Sequence, residues 1–142
     1  MIVIDDQLLL ATLSDTDPPD IEAAVGRGEV FTTGSWYYRL GRAATAGSGS
    51  GALSGRFRAL EEPVRRRVVA ALEELPPQIG LVSLRTLVPV MQALAVSRPL
   101  NFLNAEALGA ALLLDATIAV TVDAPLLRAG AADLSVDYRV IS

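Results

Sequence analysis

The sequence predicts an α/β domain built on a central, mostly parallel sheet of four to five short strands flanked by helices. Two observations predict it. Short apolar or β-branched runs recur at residues 2–5, 30–33, 79–84, 117–121 and 138–141. Segments with helical spacing separate them, long enough to serve as the crossovers that parallel strands require. The length, 142 residues, suits one domain, and an apolar fraction of 51% supplies a sizeable core.

Residues 2–5, Ile-Val-Ile-Asp, read as a short buried strand ending on an acid, with a helix following over 7–13. Residues 15–20, with Pro18 and Pro19, form a turn and a helix start. Residues 21–25 continue as a short helix that Gly26 and Gly28 end. A second strand over 30–33 leads into a helix over 35–46. Residues 47–55 are rich in Gly and Ser and read as a flexible loop. The loop lacks the Gly-Lys-Ser/Thr ending of a phosphate-binding P-loop, which argues against nucleotide binding there.

Leu60, Val64, Val68, Leu72 and Leu75 follow helical spacing, with Arg65, Arg66 and Glu73 off the stripe, so an amphipathic helix is expected over 60–75. Pro76 and Pro77 stop it. A third strand over 79–84 precedes a helix over 86–96, with Pro89 placed in its first turn. A nearly all-apolar helix over 105–114, a strand over 117–121, a helix over 125–134 and a last strand over 138–141 complete the chain.

Composition excludes several chemistries. The chain has no His, no Cys and no Lys; all twelve basic residues are Arg. Imidazole bases, thiol nucleophiles, lysine Schiff bases, disulfides and zinc sites made from His or Cys are therefore absent. Enzymatic work would rest on carboxylates, hydroxyls, arginines and a hard cation such as Mg²⁺ or Mn²⁺. The first apolar stretch is broken by Asp5 and Asp6 and has no basic leader, and no run reaches membrane-span length. A cytoplasmic protein without membrane partners is expected. The net charge of −4 hides an asymmetry. Residues 27–67 hold eight arginines against three glutamates, net +5, whereas the remainder holds four arginines against thirteen acids, net −9. The basic segment suits either a solvated surface or contact with phosphate.

In parallel α/β sheets ligands sit beyond the carboxyl ends of the strands. Asp5 and Asp6 fall there on the first strand, and Asp123 follows the strand 117–121 by two residues. An acid between strand and helix is also a good N-cap, and Asp123 ahead of Pro125 also reads as a helix start. Glu106 is the only polar side chain of residues 105–114. Ionised carboxylates are almost never buried without a partner or a metal. A first-turn position near the surface, favoured by the helix dipole, would also account for its charge. Asp5, Glu106 and Asp123 gathered at one sheet edge would repel one another without a cation, which makes them candidate ligands of Mg²⁺ or Mn²⁺. Asp6 and Asn104 are secondary candidates for orienting water or ligand groups.

Taken in order, these motifs resemble the PIN-domain family, small α/β nucleases that include the toxin ribonucleases of bacterial toxin–antitoxin pairs. "MIVIDDQLLL" (1–10) is similar to the family's opening strand with its terminal aspartate at Asp5. "NAEALGAALLLDATIAVTVDAPLL" (104–127) is similar to the later segment, with Glu106 at a position usually aspartate and Asp123 closing a Thr-x-Asp that adds Thr121 as a secondary candidate. "VDYRVI" (136–141) fits the last strand. The resemblance implies a three-layer sandwich and a metal-dependent ribonuclease hydrolysing RNA phosphodiesters. It also implies a small antitoxin partner and a homodimer. Arg39, Arg42, Arg65, Arg66 and Arg67 become candidate RNA contacts. One departure stands out: the family's further acid, on the helix after the second strand, is replaced by "GSWYYRL" (34–40), which has no carboxylate. Its absence opens the alternative of a degenerate PIN-like domain that binds RNA or a protein without cleavage. Trp36, Tyr37 and Tyr38 suit either stacking on RNA bases or packing.

Overall fold

The computed structural model describes residues 1–45 and 51–141. Along these residues run β1 (Ile2–Ile4), α1 (Asp6–Leu13), α2 (Pro19–Gly26), β2 (Val30–Thr32), α3 (Gly34–Thr45), α4 (Ala52–Ala59) and α5 (Glu62–Glu73). They continue with β3 (Ile79–Leu81), α6 (Leu84–Ser97), α7 (Phe102–Leu114), β4 (Thr117–Val120), α8 (Pro125–Asp133) and β5 (Tyr138–Val140). The strands form one sheet in the order β3-β2-β1-β4-β5, every neighbouring pair parallel. The expected α/β architecture is present, with helices on both faces of the sheet.

Alternation along the strands sends successive side chains to opposite faces. Val3, Ile118 and Val120 face a core shared with Leu87, Met91 and Leu94 of α6, with α7 and with Leu127 of α8. Ile4 and Ala119 face a second core with α1 leucines, Ile21, Leu40, Phe57 and Val68. Helix α3 serves both, sending Trp36 to the first core and Leu40 to the second. Chain order reverses between β1 and β4, so the point beyond their carboxyl ends is the topological switch point.

Three local expectations are corrected. The expected loop over 47–55 gives way at its C-terminal end to α4, whose Ser54 and Phe57 are buried. Burying Phe57 outweighs the weak helix propensity of Gly and Ser. Residues 47–50 of that expected loop lie outside the described residues. The stripe Leu60, Val64, Val68, Leu72 and Leu75 packs into the second core as expected. The helix itself starts only at Glu62, because Pro63 cannot occupy a helix interior and instead sits in the first turn of α5. Helix α6 starts at Leu84 under a Ser83 N-cap, which places Pro89 in the second turn and removes the hydrogen bond to the Arg85 carbonyl. Among the described residues no helix is long and apolar enough to cross a membrane.

Candidate functional site

Asp5 stands where β1 turns into α1, directly at the switch point. Its Oδ1 accepts the Leu8 backbone N–H at 2.8 Å, the N-cap bond of α1. Its Oδ2 accepts the Thr121 backbone N–H at 2.7 Å and the Thr121 hydroxyl at 3.0 Å. Thr121 immediately follows β4, so the Asp5 carboxylate ties the ends of β1 and β4 together across the crevice. Each hydrogen bond to a charged acceptor contributes about 1.5–3 kcal/mol. Asp5 is buried, and three protein donors already meet its charge.

Glu106 lies in the second turn of α7, because that helix begins at Phe102 under an Asn101 N-cap, three residues before the expected start. The side chain is only 1% exposed. Its Oε1 accepts the Ser35 N–H at 2.8 Å and its Oε2 the Gly34 N–H at 3.1 Å. Thr33 supplies the rest of the cap: its Oγ1 accepts the Trp36 N–H at 3.2 Å and its carbonyl the Tyr37 N–H at 2.9 Å. The orphan N–H groups of Gly34, Ser35 and Trp36 are thereby satisfied, two of them by Glu106. A carboxylate at a helix N-terminus also meets the positive end of the helix dipole. Gly34 permits the approach, since a Cβ there would stand 3.1 Å from Oε2. Glu106 thus faces backbone donors of α3, a helix whose first turn carries no acid of its own.

Asp123 is more open. Its Oδ1 accepts the Arg128 Nε–H at 2.9 Å and the Tyr138 hydroxyl at 3.0 Å. Arg128 also lies over the Tyr138 ring, 5.0 Å from its centroid. The Arg128 hydrogen bond holds the Asp123 carboxyl below the ordinary carboxylate range, aided by Tyr138. Helix α8 starts at Pro125, as the sequence suggests, but its N-cap is Ala124, one residue after Asp123, and no side chain caps it.

Of the secondary candidates, Thr121 is the partner of Asp5. Asp6 is buried beside it, and its Oδ2 accepts no hydrogen bond, although Arg39 Nε stands 3.3 Å away. Burial raises the Asp6 carboxyl above the ordinary range; Arg39 opposes this, and the neighbouring Asp5 adds to it. Asn104 is buried in the first turn of α7 and its backbone N–H completes the Asn101 cap.

The three principal acids therefore have three separate sets of protein donors. Among the described residues no group of three or more His, Cys, Asp or Glu side chains is gathered so as to hold a metal ion. Asp5, Glu106 and Asp123 do not form such a group. The partners of Glu106, backbone N–H groups 71 and 72 residues away, and the Tyr138 partner of Asp123, 15 residues on, carried no signal in the sequence.

The candidate RNA-contact arginines divide. Arg39 pairs with Asp6, and Arg67 with Asp15 at 3.2 Å. Arg65 donates to the Arg58 carbonyl at 3.1 Å and to the Leu60 carbonyl, closing the end of α4. Arg42 and Arg66 make no ion pair among the described residues, and neither do Arg56 and Arg58 on α4. All four are exposed. The aromatics divide too: Trp36 is core, Tyr37 donates its hydroxyl to the Leu72 carbonyl, and Tyr38 is 67% exposed. No family model matches the chain, and no curated protein matches it.

Proposed function

We propose that this chain is a PIN-like domain that binds single-stranded RNA through α3, α4 and α5 without metal-dependent cleavage. The observation that carries the reading is the engagement of Asp5, Glu106 and Asp123 by separate protein donors. A nuclease of this type needs those carboxylates to share a cation, and here each already has its own partners. The carboxylates instead hold the switch point, the start of α3 and the β4–α8 connection in place.

Four arginines of α3, α4 and α5 have no such internal partner among the described residues. Arg42, Arg56, Arg58 and Arg66 stand exposed on three successive helices, and Tyr38 lies one turn from Arg42 on α3. Exposed arginines beside an exposed aromatic ring suit the phosphates and unstacked bases of a single strand.

Fluorescence anisotropy with a labelled single-stranded RNA of mixed sequence, in a chelating buffer, tests the reading. Binding is expected to survive chelation and to weaken with salt, by about 0.7 logarithmic units per phosphate contacted for each tenfold rise. Charge reversal of Arg56 and Arg66 together is expected to weaken it about tenfold or more. Absence of binding at low salt, or binding indifferent to both reversals, overturns the proposal.

A further inference from the structure

Between α3 and α5 lies an open cavity of about 450 Å³. That size falls within the range of ligand sites. One wall is α3, with Tyr38, Gly41 and Arg42; the other is α5, with Val69, Leu72 and Glu73. The Tyr37 hydroxyl donates to the Leu72 carbonyl and ties the two walls together, so the cavity is framed before any ligand arrives. Neither Arg42 nor Glu73 makes an ion pair among the described residues, and Tyr38 makes no hydrogen bond there.

The lining combines four chemistries: an apolar interior, an exposed aromatic ring, a guanidinium and a carboxylate. A flat, weakly polar body carrying an anion and side-by-side N–H donors is complementary to all four. A guanine nucleotide has these features. Its ring stacks on an aromatic face, and its phosphate meets a guanidinium. Its N1–H and N2–H groups lie adjacent and match the two oxygens of one carboxylate. Uracil offers a single N–H flanked by carbonyls, which a carboxylate repels.

We propose that the α3–α5 cavity holds an unpaired guanine nucleotide of RNA, with Tyr38 stacking on the base, Glu73 accepting from its Watson–Crick edge and Arg42 pairing with its phosphate. The proposal rests on the RNA-binding reading above and adds base preference to it.

Calorimetry of the full chain with guanosine 5′-monophosphate and with uridine 5′-monophosphate tests the cavity directly, and anisotropy with guanine-containing RNA and oligouridine of equal length tests it in RNA. The guanine nucleotide is expected to bind at least tenfold more tightly than the uridine nucleotide. Glu73→Gln, a surface change, is expected to reduce that ratio about fivefold, and Tyr38→Ala to weaken guanine binding about tenfold. Leu72→Trp fills the cavity and is expected to abolish nucleotide binding, with thermal melting by circular dichroism checking its fold. RNA binding without guanine preference, unaltered by Glu73→Gln, overturns the cavity proposal and leaves the RNA-binding reading standing. Guanine nucleotide binding that depends on Glu73, without RNA binding, supports the cavity and overturns that reading. Equal binding of both nucleotides, or of neither, overturns the cavity proposal.

Discussion

Replacing Glu106 with glutamine exchanges one carboxylate oxygen for an NH₂ group at nearly constant volume. In the native protein the two oxygens accept the Ser35 and Gly34 N–H groups at 2.8 and 3.1 Å from a side chain that is 1% exposed. Hydrogen bonds to a charged acceptor contribute about 1.5–3 kcal/mol each, and neutral ones about 1 kcal/mol. The amide can keep one bond as a neutral one, while its NH₂ meets the other N–H donor to donor. The expected loss is about 3 kcal/mol, which for a domain of this size lowers the melting temperature by roughly 6–12 °C. Urea unfolding and thermal melting in a chelating buffer measure it. If Glu106 were instead an anion held for a cation, the metal-free protein would bury an uncompensated charge, and glutamine would stabilise it. Unchanged or increased stability of Glu106→Gln under chelation refutes the capping role.

Three further outcomes follow from the same geometry. Gly80→Ala is expected to destabilise by about 1–3 kcal/mol, because the new Cβ would stand 2.3 Å from the Phe31 ring across the β2–β3 pair; urea unfolding checks it. Because burial raises the Asp6 carboxyl, the folded protein holds a proton there more tightly than the unfolded chain does. Its ionised form costs stability above the raised value, and the cost is relieved as pH falls through it. Asp6→Asn is therefore expected to stabilise at neutral pH, with the gain fading in acid, as unfolding curves across that range would reveal. The Asp123 carboxyl is expected to titrate below the ordinary carboxylate range by NMR, and to move up toward it in Arg128→Ala. Its contribution to stability is present above the unfolded-state value and is lost as pH falls through the lowered one.

Much of the fold was legible because the informative residues were strong ones. β-Branched runs ending at Asp5 and ahead of Asp123 marked β1 and β4, and the stripe from Val64 to Leu72 marked α5. Helix α4 was not legible, since its Gly and Ser residues favour a loop and only burial of Phe57 in the second core, where α4 meets α3 and α1, makes it a helix. The candidate site was legible in position and not in partnership. Asp5 was readable both as an N-cap and as a ligand; the capping bond to Leu8 is present, joined by a cross-strand tie to Thr121 that only the sheet order creates. The isolation of Glu106 correctly required a partner. That the partner is the start of α3 depends on how α7 packs against α3, which no local pattern encodes.

On the proposed function, Asp5, Glu106 and Asp123 hold the protein together and RNA stays uncut. Incubating labelled single-stranded RNA with the full chain, with Mn²⁺ and separately with chelator, and resolving the products by denaturing electrophoresis tests it most directly. RNA that is bound and of unchanged length is expected in both conditions. Cleavage that appears with Mn²⁺ and disappears in Asp5→Asn would contradict it.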